Sequence, residues 1–299
     1  GEVVSSKENS KAKRLHLLHD RKKASAQGVV FIEGTRICED ALKSGIVPEL
    51  ICFTPSRNEL VTSWCELFQL DSKLSRNNFL CVTDDLFSKK IASTKNPQGI
   101  AMVVPQPSLE KEFPNKHKDK AIYVVLENLQ DPGNMGTIIR MADAFDFDAV
   151  VITEGCCDPF NEKTLRSSMG SCWHIPIIKI PDVEKFMLFA KEEGITSIAM
   201  HLQGEVLSES ELKLPIAFLI GNEGNGLSER ASGLCDKMVK IKEKRRYYGI
   251  SQQAFQPQSV PHYLSEMGTI RTFDGCLGRS FRRWLPPCPP FRHPSAGRT

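Results

Sequence analysis

Short apolar runs alternate with helix-like stretches along the first third of the chain. Four runs of the length and composition of buried strands lie at residues 29–32, 50–53, 79–82 and 100–104. Apolar residues at helical spacing predict helices over 36–43, 61–70 and 84–91. Asp84 is placed to cap the last of these helices, because a carboxylate accepts from the unpaired N–H groups of a first turn. The pattern predicts a small α/β domain over residues 28–104.

The same alternation returns further along the chain and predicts a second domain over residues 121–243. Apolar runs predict strands at 121–126, 149–152, 175–178, 195–200 and 216–220. Helical spacing predicts helices at 137–145, within 159–169, and at 183–193. This order indicates a mostly parallel sheet with helices on both faces. Between the two domains, residues 105–120 are charged, contain proline and lack apolar periodicity, so we expect a linker there.

Both ends of the chain differ from these domains. Residues 1–27 are polar and basic, with three leucines that allow a short helix, and this pattern favours a solvated lead-in over a dedicated RNA contact. Residues 244–299 lack a helical apolar stripe, use arginine instead of lysine after Lys244 and are proline-rich at 286–290, which predicts a disordered tail. Such an abrupt change suggests an altered reading frame, a retained intron or an alternative terminus; an RNA-binding tail is the other interpretation.

Bulk composition excludes several classes of protein. The chain has 299 residues, of which 40% are hydrophobic and 25% charged, values typical of globular domains. No apolar run approaches the roughly 18 residues that cross a bilayer. The net charge of +3 permits an RNA partner without arguing for one. Ten cysteines without C-x-x-C spacing indicate neither a zinc site nor a disulfide framework, and we expect reduced thiols in an intracellular compartment.

One polar loop follows the strand at 121–126. Its sequence, Asp131-Pro132-Gly133-Asn134, is dense in turn-forming residues, and apolar residues at helical spacing begin at Thr137. Strand, tight loop and helix in this order place polar groups at the carboxyl end of a strand, where α/β proteins usually hold their ligands. We expect Arg140 about one turn into the helix, within reach of the loop. An ordinary connection with a solvated arginine is an equal alternative at this stage.

A second loop, residues 221–228, follows the most apolar strand of the chain. Its glycines are spaced G-x-x-G-x-G, which differs from the dinucleotide fingerprint, and no Lys-Ser/Thr pair of a phosphate-binding loop follows them. Glu223 lies among the glycines, where a carboxylate would repel phosphate, and it favours a ligand with a cationic or hydrogen-bond-donating part. Taken alone, a flexible surface turn is the simpler interpretation of this loop.

Together, the two loops resemble the first two signature motifs of the SpoU (TrmH-like) branch of the SPOUT methyltransferases. The resemblance covers residues 20–243, and Asn96-Pro97-Gln98-Gly99 matches the usual end of the RNA-binding domain that precedes the catalytic domain in many members. It implies a SPOUT-type parallel sheet with trefoil-knot topology, preceded by a small α/β ribosomal-protein-like domain. It also implies transfer of a methyl group from S-adenosylmethionine to a ribose 2′-hydroxyl of RNA, without a metal.

Similarity to the mitochondrial members that methylate ribosomal RNA guanosines implies a ribosomal RNA substrate and a mitochondrial location, with the cytoplasm expected for a bacterial-type relative. The matched motif positions imply that Asn134 and Arg140 position the ribose, that Glu223 is the acidic residue of motif two, and that Gly221 and Ile241 contact the cofactor. Family members are proposed to use the arginine as a base. A guanidinium stays protonated in proteins, so our hypothesis is that Arg140 first binds the adjacent phosphate and orients the hydroxyl.

The resemblance stops after Ile241. The family continues with a proline-methionine pair and a serine-leucine-asparagine segment, whereas this chain reads Lys242-Glu243-Lys244-Arg245-Arg246. In the family that segment completes the cofactor pocket, the knot and much of the homodimer surface, so an incomplete knot and a weakened dimer are expected here. A catalytically inactive RNA-binding or ribosome-assembly protein is therefore the alternative hypothesis. A small-molecule α/β enzyme is less favoured, because neither loop matches a nucleotide fingerprint.

Overall fold

The computed structural model describes residues 3–114, 116–206 and 213–240. Ile241 and the tail at 244–299 lie outside the described residues. The described chain forms two β-sheets, each with its own helices. We call the first sheet with its helices, within residues 3–105, the N-terminal unit, and the second sheet with its helices, within residues 109–240, the C-terminal unit.

The N-terminal unit contains a four-stranded mixed sheet. Its strands are β1 (Val29–Glu33), β2 (Leu50–Phe53), β3 (Phe79–Cys81) and β4 (Ile100–Pro105), in the order β1-β4-β2-β3. β4 is antiparallel to β1 and β2, and β2 is parallel to β3. Its helices are α1 (Ser10–Leu17), α2 (Arg21–Ala26), α3 (Thr35–Lys43), α4 (Asn58–Leu67) and the short α5 (Asp84–Leu86), which continues as a π-turn over Phe87–Ile91. The predicted strands are confirmed, and the predicted helices differ mainly at their ends.

The basic lead-in packs against this sheet, so its interpretation as a solvated helix is wrong. The side chains of asparagine and aspartate residues cap α1 and α2, and both helices bury apolar residues under β1 and β3. On α1, Leu15 is completely buried, whereas Leu17 is 41% exposed. Ala12, Leu15 and Leu18 lie three residues apart, which places them on one face of the helix. That short apolar stripe is enough to cover one side of the first sheet.

The C-terminal unit contains seven described strands, and each pairs in parallel with its neighbours. They are β5 (Leu109–Glu110), β6 (Ile122–Leu126), β7 (Ala149–Thr153), β8 (Ile177–Ile180), β9 (Thr196–Val206), β10 (Ile216–Ile220) and β11 (Lys237–Lys240). The order is β11-β9-β10-β6-β7-β8-β5. The helices are α6 (Pro132–Ala144), α7 (Glu162–Ser168), α8 (Val183–Glu192) and α9 (Glu229–Leu234). The mostly parallel α/β sheet is thus confirmed. Residues that would complete a trefoil knot lie after 240, outside the described part.

The stretch predicted to be a linker contains a strand, because β5 pairs with β8 at the edge of the second sheet. Two residues are too few to show an apolar period, so the sequence pattern could not reveal them. The same stretch is anchored again at His117, whose Nδ1 lies 2.9 Å from the carboxylate of the buried Asp148. Residues 105–120 are therefore partly a structured connection.

Two helices begin differently from the sequence prediction. α6 begins at Pro132, where the Asp131 carboxylate accepts from Asn134 N (2.8 Å), because proline suits the first helical position and aspartate suits the cap. Arg140 therefore lies about two turns into the helix instead of one. At α5 the cap is Thr83, whose hydroxyl accepts from Leu86 N, and Asp84 is the first helical residue.

The order in which strands are added to the second sheet reverses between β6 and β10. From β6 the chain adds β7 and β8 on one side, and it later adds β9, β10 and β11 on the other side. Because Leu126 at the end of β6 is level with Ile220 at the end of β10, the two following loops begin side by side. Parallel α/β sheets bind ligands in the crevice at such a switch point.

Within the described ranges, no helix is long and apolar enough to cross a membrane. The cysteines there, at positions 38, 52, 65, 81, 156, 157, 172 and 235, are free.

The packing of α1 leads to a matched stability test. Replacing Leu15 by alanine removes a fully buried side chain and should lower the free energy of unfolding by about 2–5 kcal/mol. Leu17→Ala, on the exposed face of the same helix, should change it by less than about 0.5 kcal/mol. Urea unfolding followed by circular dichroism measures both variants. Equal effects of the two substitutions would contradict the packing of the lead-in.

Candidate active site

The loops after β6 and β10 are joined by the carboxylate of Glu223. Its Oε2 accepts from Gln130 N (3.1 Å), and its Oε1 accepts from Asp131 N (2.9 Å). The Asn134 side-chain amide donates to Oε1 as well, at 3.3 Å. One acidic side chain of the second loop thus satisfies two main-chain donors and one side-chain donor of the first loop.

Two further hydrogen-bond groups hold the same loops together. The Glu127 carboxylate, at the end of β6, accepts from both the main-chain N and the hydroxyl of Ser228, each at 2.7 Å. The Ser228 hydroxyl also caps α9 by accepting from Ala231 N at 3.0 Å. Asn222 Nδ2 donates to the carbonyl oxygen of Asn128 at 2.9 Å. The relative position of the loops is therefore fixed at both of their ends.

The second loop is a hydrogen-bonded hairpin, not an open turn. Asn222 and Gly226 exchange main-chain hydrogen bonds of 3.0 and 2.8 Å. The Asn222 side chain accepts from Gly224 N and Asn225 N, which leaves both main-chain donors paired. At Gly221 an added Cβ would lie 2.0 Å from the carbonyl carbon of Gly226. Glycine is required there because the two segments of main chain approach too closely for a side chain.

The charges of the site favour ionised carboxylates. Burial raises the pKa of Glu223, but hydrogen bonds from Asp131 N, its own N–H, Gln130 N and the Asn134 amide outweigh this effect, and the pKa lies below the ordinary glutamate value. At Asp131, chiefly the hydrogen bond from the Lys163 ammonium (2.8 Å) lowers the pKa of the carboxyl. Glu223, which joins the two loops, and Asp131, which caps α6, are thus both negatively charged near neutral pH.

Arg140 lies on the exposed face of α6. Its Nη1 is 2.8 Å from the sulfur of Met169, a residue in the left-handed conformation just after α7 (φ 50°). A thioether is only a weak acceptor, and Arg140 forms no ion pair with any described residue. Most of the five donors of this guanidinium are therefore available to an anionic ligand.

The structure brings together only some of the residues predicted from the motifs. Asn134 and Glu223 are in contact, and Gly221 begins the same hairpin. Arg140 shares α6 with Asn134 but contacts Met169, and Ile241 lies outside the described residues. The motif comparison had not given roles to Glu127, Ser228, Lys163 and Met169. The matched positions of Glu127 and Ser228 after two parallel strands could have suggested their contact. Lys163 and Met169 could not be predicted in this way, because they reach the site from α7 and its end.

No group of three or more metal-binding side chains occurs among the residues that the structure describes. The polar groups around the two loops are mainly amides, main-chain donors and carboxylates that are already paired within the protein. The Asn134 amide oxygen and most donors of Arg140 have no such partner among the described residues, and these groups suit hydrogen bonding to an organic ligand.

The chain matches the family model for the SpoU rRNA Methylase family over residues 121–249, and the model for the MRM3-like substrate binding domain over residues 9–102. It is 35% identical over 226 residues to the 23S rRNA (guanosine(2553)-2'-O)-methyltransferase RlmP of Bacillus subtilis, covering 75% of this chain and 84% of the relative. The chain belongs to the SpoU rRNA methylase family. Mouse mitochondrial rRNA methyltransferase 3 is 34% identical over 155 residues, which cover 51% of this chain and 35% of that protein.

Solved structures of the family share the fold of this chain. The AdoMet-bound rRNA methyltransferase of Sinorhizobium meliloti superposes with a TM-score of 0.68 at 26% identity, covering 89% of this chain and 96% of that one. A structure described as an RNA 2'-O ribose methyltransferase gives a TM-score of 0.70 at 25% identity, over 91% and 100% of the two chains. S-adenosylmethionine is accordingly the cofactor of this SpoU-family chain. The hairpin after β10 leaves open space beside Gly226, where an added Cβ would meet no atom within 4 Å.

Replacing Glu223 by glutamine tests the tie between the loops. An amide keeps one acceptor and turns an NH₂ group toward an N–H donor, so the variant should lose about 1–2 kcal/mol of stability at neutral pH. The lowered pKa makes the carboxylate's contribution complete above the ordinary value of 4.5, and the contribution disappears as the pH falls through the folded-state pKa. The stability difference from wild type should therefore shrink in acid.

Denaturant unfolding at a series of pH values measures this difference. Glu192→Gln, at an exposed position in the last turn of α8, is the matched control and should show little difference at any pH. If the loss of unfolding free energy in Glu223→Gln stayed constant with pH, the ionised carboxylate would not be what holds the two loops together.

Proposed function

We propose that this chain transfers a methyl group from S-adenosylmethionine to the ribose 2′-hydroxyl of a guanosine in large-subunit ribosomal RNA. The observation that carries the proposal is the joining of two family motifs in one crevice by Glu223. The guanosine and the large-subunit RNA are supported by the substrate named for RlmP. In this proposal residues 28–104 bind the RNA and residues 121–243 carry out the transfer, which agrees with the names of the two matched family models.

When bound, the cofactor would supply a methyl group on a positively charged sulfur. The methyl–sulfur bond would break as the bond to the 2′-oxygen forms, leaving a neutral thioether, and the hydroxyl proton would pass to water. Gly221 is proposed to contact the cofactor by its main chain, and Ile241, outside the described residues, is proposed as a further contact. Glu223 is a positioning residue, because its carboxylate fixes the Asn134 amide with the NH₂ group toward Oε1. Asn134 Oδ1 then remains to accept a hydrogen bond from the ribose hydroxyl. This bond would orient the 2′-oxygen, and alignment is a large part of catalysis in a displacement.

Arg140 has the properties needed to bind RNA phosphate. It is exposed and free of ion pairs within the described residues, and a guanidinium fits phosphate through two parallel hydrogen bonds. We propose that Arg140 binds the phosphate next to the target ribose and stabilises the oxygen from which the proton leaves. Any role as a base is secondary, because the guanidinium retains its proton at neutral pH.

Two broader features belong to the same proposal. A homodimer is expected from the family, and a weakened one from the departure of the sequence after Ile241; sedimentation of the full chain distinguishes the two. A mitochondrial location is supported by relatives named as mitochondrial in mouse and human, which are 34% and 32% identical; the match to a bacterial enzyme supports a cytoplasmic alternative. Imaging the tagged natural protein in cells of its source decides between these compartments.

Calorimetry with S-adenosylmethionine tests the proposal against an inactive RNA-binding protein. We expect saturable binding of the cofactor by the full chain, and incorporation of labelled methyl groups into an unmodified B. subtilis 23S rRNA transcript. RNA binding without cofactor binding would overturn the proposal in favour of the RNA-binding alternative.

An arginine-to-lysine substitution tests the role of Arg140. Lysine keeps the charge but lacks the planar fork, so Arg140→Lys should lower the rate constant of methyl transfer by roughly ten-fold or more while cofactor affinity stays the same. Labelled-methyl incorporation at saturating RNA measures the rate, and calorimetry measures the affinity. Arg76→Lys, an exposed arginine at the start of β3, is the control. Near-wild-type transfer by Arg140→Lys would contradict both proposed roles of the guanidinium.

A further inference from the structure

A polar cleft of about 450 Å³ lies where the N-terminal unit meets α7. Its basic residues are Arg36 on α3, Lys95 in the loop before β4 and Arg166 on α7, and all three are exposed. The volume is within the range of sites that hold small organic groups. Two carboxylates, Glu33 and Asp40, also line the cleft, so three basic side chains stand against two acidic ones, and the volume suits one unit of a polyanion.

The cleft adjoins the proposed active site through Met169. Arg36 Nη2 lies 3.7 Å from the Met169 sulfur, and Arg140 Nη1 lies 2.8 Å from the same atom. Two guanidinium groups from different units thus meet at one weak acceptor, and neither forms an ion pair with a described residue. Like charges at this separation repel each other. An anion between them would remove that repulsion and satisfy their donors.

Of the two carboxylates that line the cleft, Glu33 already accepts several hydrogen bonds from the protein. Glu33, only 3% exposed, accepts from the main-chain N and the hydroxyl of both Ser93 and Thr94, at distances from 2.6 to 3.1 Å. These bonds fix the loop that carries Lys95. Glu162 is ion-paired with Arg166 and accepts from the Ser93 hydroxyl. Asp40, the other carboxylate that lines the cleft, is half-buried; burial raises the pKa of its carboxyl, and the charges of Arg36 and Lys43 oppose that rise.

The walls of the cleft are held in place by contacts between the two units. Arg21 Nε on α2 pairs with Asp158 at 2.7 Å, and Nη2 donates to Gln106 at 2.6 Å. Its guanidinium also lies over the Phe160 ring, 5.9 Å from the centroid. The hydrogen bond from Ser93 to Glu162 adds a second connection. Arg36 is thus positioned relative to Arg140 before any ligand binds.

We infer that this cleft binds the nucleotide adjacent to the methylated ribose, in a single-stranded or splayed RNA segment. Arg36 and Arg140 hold the phosphate that links the two nucleotides, and Lys95 lies beside the next phosphate of the RNA strand. This inference rests on the proposed function. It makes the N-terminal unit part of the substrate site itself, because one phosphate is bound by residues from both units. RNA recognition through unstacked nucleotides and their phosphates is common for single-stranded targets.

Arg36→Gln tests the inference, with Arg76→Gln as the matched control. Arg76 is exposed and lies at the opposite edge of the first sheet, at the start of β3. The probe is an unmodified B. subtilis 23S rRNA transcript that includes guanosine 2553. For Arg36→Gln we expect RNA to bind about three- to thirty-fold more weakly at moderate salt, with the slope of log K against log salt shallower by about 0.7. Arg76→Gln should keep both values, and calorimetry should give unchanged cofactor affinity for both variants.

If the wild type methylates the transcript but Arg36→Gln and Arg76→Gln bind RNA with equal affinities and salt slopes, the inference about the cleft is wrong. The proposed function would then remain intact. Failure of the wild-type chain to methylate it would overturn the proposed function and the inference with it. Lys95→Ala gives an independent check, since its side chain has no described ion pair to lose. Its RNA affinity should fall in the same direction as that of Arg36→Gln, and unchanged affinity would contradict the proposed path of the RNA.

Discussion

The carboxylate of Glu223 joins the loop after β10 to the loop after β6. Gln130, which donates to this carboxylate, lies 93 positions earlier in the chain. The acceptors of the carboxylate bind donors of the loop that begins α6, and that helix carries both Asn134 and Arg140. Together with the Glu127–Ser228 and Asn222–Asn128 hydrogen bonds, this tie fixes the relative position of the two loops. An acidic residue in a glycine-rich loop, which suggested a cationic ligand from the sequence, is satisfied here by the protein's own main chain. In the proposed mechanism, Glu223 contributes by holding its hydrogen-bond partners in position.

The tie is possible because β6 and β10 are parallel neighbours in register. Ile220 is level with Leu126, so the first residues of the two loops start at the same height above the sheet. The crevice lies between these strands because the strand order reverses there. The hydrogen bonds between Glu127 and Ser228 close its base. Sheet topology thus provides the place, and short-range hydrogen bonds provide the precision that an aligned displacement needs.

Much of this architecture could be predicted from the sequence, because long apolar runs and turn-rich motifs are strong local patterns. The principal strands of both sheets were predicted in this way, whereas the pairing of the two loops in one site was implied by the family resemblance. Weak local patterns failed: β5 is only two residues long, and three apolar residues were too few to reveal that α1 is packed. The meeting of Arg36 and Arg140 at Met169 could not be predicted, because it depends on how α3 and α7 pack together.

The central claim is that the crevice between β6 and β10 carries out ribose methylation of RNA. Mass spectrometry of nucleosides from the 23S rRNA transcript, after incubation with the chain and S-adenosylmethionine, tests it most directly. We predict 2′-O-methylguanosine, and its loss when Arg140 and Asn134 are both replaced by alanine. A methyl group on a nucleobase, or 2′-O-methylation that survives both replacements, would contradict the account.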